Sequence, residues 1–108
     1  MKRIAVACNE KKSVEAFKDC KEFEIYETED GQVEKEWTIS NTGHNPDYPS
    51  LYLSDIGVKA VIAGDMDNNS LNIFNKKGVE AIVGVHGDIE DNVEAFLDGK
   101  LKATHQAC

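Results

Sequence analysis

The sequence predicts an α/β fold, a mixed β-sheet with helices on both faces. Three observations predict it. "RIAVAC", Arg3 to Cys8, is a continuous apolar run of strand length, as expected of a strand buried on both sides. "EDGQ", Glu29 to Gln32, sets an Asp-Gly pair between two segments of alternating polarity, which is the chemistry of a tight hairpin turn. "GVKAVIAGD" at 57–65 recurs as "GVEAIVGV" at 78–85, a spacing of 21 residues. Each copy runs from a glycine through an apolar strand into a polar loop and a helix, an order that implies parallel strands joined by right-handed crossovers.

The elements follow in chain order. After the first strand, "SVEAFKDC", Ser13 to Cys20, reads as one or two helical turns, with Ser13 as cap and Val14 and Phe17 facing inward. In the hairpin, Phe23 and Ile25 alternate with glutamates; Val33, Trp37 and Ile39 alternate with Glu34, Glu36 and Thr38. One covered face is expected, with Trp37 in the core. "NTGHNPDYPS" at 41–50 reads as a loop that starts a helix, Asp47 capping it and Pro49 in its first turn. That helix runs through Leu53 and Ile56 and stops at Gly57. In the last helix, Asp88 is the cap, Ile89, Val93, Phe96 and Leu97 share a face, and Gly99 ends it.

Composition narrows the function. The 108 residues suit one domain, read as 1–102 with a tail at 103–108. Twenty acidic against twelve basic residues give a net charge of −8, a field that repels phosphate backbones and anionic lipid. Neither nucleic acid nor membrane is an expected partner. Cys8, Cys20 and Cys108 form no C-x-x-C pair, so neither a disulfide framework nor a structural zinc site is indicated. The apolar run after Lys2 and Arg3 is too short for a signal peptide, and the expected location is the cytoplasm.

Chemistry is expected on the loops. In open α/β sheets, ligands bind beyond the carboxyl ends of strands. Three such ends are Cys8-Asn9, Gly64-Asp65-Met66 and Val85-His86-Gly87. If they are neighbours, they form one rim carrying a cysteine, a histidine, a thioether and a carboxylate. "DMDNNS" puts oxygen side chains at 65, 67 and 69, as a calcium loop does, but Ser70 replaces the required glycine and Lys76 the bidentate acid. An EF-hand is excluded. The same stretch starts a helix, whose free N–H groups Asn68, Asn69 or Ser70 can satisfy. His44 lies in the long loop and can swing over the rim, and His105 with Cys108 makes a further metal-capable pair.

From Gly57 onward, "GVKAVIAGDM" and "NKKGVEAIVGVHGDIEDNVEAFLDGKL" resemble the dinitrogenase iron–molybdenum cofactor biosynthesis family, found alone in NifX-like proteins and at the C-terminus of NifB. The resemblance implies a ribonuclease H-like, three-layer fold with about five strands. It also implies binding or carriage of an iron–sulfur or iron–molybdenum cluster or its precursor, without catalysis. The cofactor-binding positions expected at the rim and the loops beside it are Asn9, Cys20, His44, Gly64, Asp65, Met66 and His86, with Cys20, His44 and His86 as metal ligands. The partner would be the cluster itself or a protein that donates or accepts it. Family members often carry "H-F-G-x-A" after the first strand; the matching "AFKDC" has Ala16 at the histidine position and Lys18 at the glycine position. The family's "G-G-M-G" loop becomes Gly64-Asp65-Met66-Asp67. Two other readings stand beside the carrier. One is a protein-interaction module without the cluster, its acidic surface suited to a basic partner. The other is a divalent-metal hydrolase built on Asp65, Asp67 and Asp88.

Overall fold

The computed structural model describes residues 2–9, 13–17, 20–41 and 48–99. His44, Asp47, His105, Cys108 and the 103–108 tail lie outside the described residues. The order is β1 (Lys2–Asn9), β2 (Ser13–Val14), β3 (Glu22–Glu29), β4 (Gln32–Ser40), α1 (Tyr48–Asp55), β5 (Val58–Ile62), α2 (Asn68–Lys77), β6 (Glu80–Ile82) and α3 (Ile89–Leu97). The sheet runs β4-β3-β1-β5-β6, with β2 paired to the end of β1. β3 and β4 are antiparallel to their neighbours, while β5 runs parallel to β1 and β6 parallel to β5. It is the mixed α/β sheet expected.

Each face has its own core. Ala5, Ala7, Phe23, Ile25 and Val61 meet Leu53 of α1 and Leu71 and Phe74 of α2 on one side. Ile4, Val6, Tyr26, Ala60, Ile62 and Ile82 meet Ile89 and Val93 of α3 on the other. Ile4 to Cys8 are all 0% exposed, because β1 is central and covered on both faces. The hairpin turn is equally literal. Asp30 and Gly31 have φ of 54° and 79°, the paired positive values of a type I′ turn.

Three expectations are corrected. Ser13–Val14 is a strand and not a helix start: Val14 pairs with Cys8. Its side chain enters the α3-side core while Phe17 enters the other, so the two point to opposite faces of the sheet. Among the described residues one helix-like bond lies nearby, from the Cys20 amide to the Ala16 carbonyl at 3.0 Å. The second correction is a β-bulge. Glu27 pairs with Lys35 but Thr28 pairs with Val33, so one extra residue intervenes on β4. The bulge reverses the alternation and turns Val33 to the α3 side, away from Trp37 and Ile39. Trp37 itself is only half-buried, because β4 is an edge strand and α1 and α2 sit over the middle of the sheet. The Arg3 guanidinium lies 5.8 Å from its ring centre. Arg3 also donates to Glu27 at 3.0 Å and to the Ile56 carbonyl, tying β1, β3 and the end of α1 together. With Arg3 40% exposed, the ion pair contributes about 0–1 kcal/mol, and its worth is geometric.

Candidate functional site

The strand ends named from the sequence do converge, and main-chain atoms hold them. The Gly64 amide donates to the Glu15 carbonyl at 2.9 Å, and the Phe17 amide donates to the Asp65 carbonyl at 2.8 Å. Gly84 donates to Gly64 at 3.0 Å, and Val14 donates to Gly87 at 2.9 Å. Residues 14–17, 63–66 and 84–87 are therefore one interlocked rim at the carboxyl ends of β1, β5 and β6. Phe17 anchors it from below: its ring lies 5.3 Å from Phe23 and 5.6 Å, edge-on, from Phe74.

What the rim shows to solvent is narrower than its composition. His86 and Asp65 are exposed and Gly64 is half-exposed. Met66 is 7% exposed and belongs to the core beneath. The Asn9 side-chain oxygen accepts from the Lys21 amide at 2.7 Å, joining the end of β1 to the chain entering β3. Cys20 faces inward at 4% exposure, and its thiol donates to the Phe17 carbonyl at 3.2 Å. Burial pushes that thiol from an ordinary 9.0 up to about 12, opposed by the Asn41 side-chain amide. Cys8 is fully buried in the α3-side core. The rim thus brings Gly64, Asp65 and His86 together and turns Cys20 and Met66 away from solvent.

The acids divide by task. Asp67, and not Asn68, Asn69 or Ser70, caps α2: its carboxylate accepts from the Ser70 amide at 3.1 Å and the Ser70 hydroxyl at 2.8 Å. Asp88 caps α3 as expected, accepting from the Glu90 amide at 3.2 Å. Asp65 accepts from the Met66 amide at 2.9 Å. All three carboxylates of the hydrolase reading are engaged by main-chain amides. Among the described residues no three His, Cys, Asp or Glu side chains are grouped to hold a metal ion. Asp67→Ala should lower stability by about 1 kcal/mol, the usual worth of an N-cap, read as a fall in the urea midpoint at unchanged slope. A slope change or no loss would count against the capping role.

Among the described residues no helix is long and apolar enough to cross a membrane. The chain is similar in structure to several solved proteins. A protein designated PH0822 has 25% identity, 96% coverage of both chains and a TM-score of 0.84. A Methanocaldococcus jannaschii protein provisionally called a dinitrogenase has 24% identity, 96% coverage of both chains and a TM-score of 0.80. A Thermotoga protein provisionally called NifB has 24% identity, covering 100% of this chain and 97% of that one, at a TM-score of 0.78. No curated protein sequence matches. The model of one family, described as dinitrogenase iron-molybdenum cofactor, matches residues 1–99, nearly the whole chain. With fold and sequence pattern in agreement, the chain belongs to the dinitrogenase iron–molybdenum cofactor family.

Proposed function

We propose that this protein binds and carries an iron–sulfur or iron–molybdenum cluster, or its precursor, at the rim, and hands it on without catalysing a reaction. The cluster is cargo. The observation that carries the reading is the main-chain clamp that sets the exposed His86 and Asp65 beside Gly64 in a member of this family. His86 offers a nitrogen donor, and we assign His44 to the same task. A cluster brings its own sulfide and needs few protein ligands in transit, and few ligands suit release. The Cys20 thiol, held neutral by burial, is a poor member of the set, since the thiolate is the form that binds metal. A partner protein that donates or accepts the cluster follows from this reading, as does a cytoplasmic setting.

Anaerobic reconstitution of the purified chain with iron, sulfide and molybdate tests it. Retained metal with visible absorbance is expected. His86→Ala should weaken retention at least about tenfold, the scale on which metal sites respond even to loss of outer partners. A colourless, metal-free product would sink the carrier reading. One observation favours a second reading, a protein-interaction module. Ala16 borders the rim, its amide nitrogen close under Gly64, where the family's pattern has a histidine. In that case a partner is retained from native lysate in the absence of metal.

A further inference from the structure

A separate cleft of about 270 Å³ lies between the β3–β4 hairpin and α3 and shares no lining residue with the rim. Its apolar lining is Val93, which is buried, with Leu97 and the unusually exposed Val33, 43% accessible. The bulge in β4 is what turns Val33 into it. Its polar lining is acidic, with Glu36 from β4 and Glu90 and Glu94 one turn apart on α3, all exposed. Tyr26 completes it. This residue is 3% exposed, yet its hydroxyl makes no hydrogen bond among the described residues. A buried hydroxyl left without a partner costs stability, so a fold keeps one chiefly where something else pairs with it.

We propose that this cleft binds a small aliphatic amine, its ammonium group among Glu36, Glu90 and Glu94 and donating to the Tyr26 oxygen, its methylene stem against Val33, Val93 and Leu97. Each part of the lining selects against something else. An anion is repelled, and a bare metal ion leaves the apolar wall without a use. A neutral apolar molecule leaves the carboxylates and the hydroxyl unpaired. The volume lies below the range typical for drug-sized ligands, which suits a short chain. Burial, with Glu36, Glu24 and Glu90 nearby, holds the Tyr26 phenol above its usual range, so the hydroxyl stays neutral.

The test is titration of the full chain with cadaverine at low ionic strength, followed by heteronuclear NMR. Saturable shifts confined to β3, β4 and α3 are expected. Tyr26→Phe should weaken binding about fivefold, as loss of one hydrogen bond does, while the urea midpoint holds or rises because an unpaired buried hydroxyl is gone. Glu90→Gln with Glu94→Gln should weaken it further. Wild-type affinity in Tyr26→Phe would overturn the proposal. Equal shifts from a diol of the same length, or diffuse shifts that magnesium reproduces, would do the same. Tighter binding of a lysine-bearing peptide than of cadaverine would reassign the cleft to a protein partner and overturn the small-molecule assignment.

Discussion

Phe17→Ala is expected to cost about 3–5 kcal/mol, the range for deleting a buried aromatic ring and a large part of the stability of a typical small domain. The ring is 2% exposed and sits between Phe23 of β3 and Phe74 of α2. Its loss opens a cavity that neither neighbour can fill, since each is fixed in its own element. Position matters as much as volume. The Phe17 amide holds the Asp65 carbonyl, so the same residue joins the core to the rim. Phe17→Leu should recover more than half of the loss while keeping the rim bond. Urea denaturation of the variants decides it; a Phe17→Ala cost under about 1 kcal/mol would mean that the ring is not the anchor.

The second large effect is alkaline. Unfolded, the Cys20 thiol ionises near 9.0; folded, burial holds its proton until about 12. The folded state therefore binds the proton more tightly. This favours folding fully below about pH 9, and the advantage is lost as pH climbs toward about 12. In that window stability should fall by about 1.4 kcal/mol per pH unit on account of this one group. Cys20→Ala will be less stable at neutral pH, because a buried sulfur is gone. Its stability should nevertheless fall less steeply above pH 9, so the two urea-midpoint curves converge. Parallel curves would show that the thiol is not held neutral by the fold. The same physics disfavours Cys20 as a metal ligand near pH 7, where ligation must first expel the proton.

What the sequence made legible was local chemistry. An Asp-Gly pair has little choice but a turn with positive φ, and an uninterrupted apolar run of five residues belongs at the centre of a sheet. The glycine-framed repeat foretold β5 and β6, since Gly57 and Gly78 both adopt positive φ ahead of their strands. Two features were out of reach for one reason, which is that each depends on a partner strand. Val14 and Phe17 are three apart, a helical spacing, and only pairing with β1 sends them to opposite faces. The bulge opposite Thr28 leaves only Lys35 as a mark, a polar break between Val33 and Trp37 that does not by itself reveal an extra residue. At the rim, the strand ends could be named in advance, but side-chain direction could not. Cys20 and Met66 turn inward because Phe17 and α2 supply apolar neighbours there. The Tyr26 cleft left no signal at all, because it joins β3, β4 and α3 across widely separated stretches.

The clamp beneath the rim has an evolutionary consequence. Glu15, Phe17, Gly64, Asp65, Gly84 and Gly87 meet there through amides and carbonyls, groups that every residue but proline carries in full. Exposed side chains in these loops can therefore drift without dismantling the platform that displays them. Even Gly64 is replaceable on steric grounds: a Cβ there would meet its nearest neighbours at 3.5 Å, an ordinary contact. A lineage can thus change what these loops present to solvent by substitutions that selection for folding does not see. Ala16 and Asp65, where the family resemblance implies histidine and glycine, are the kind of variation such a scaffold accumulates.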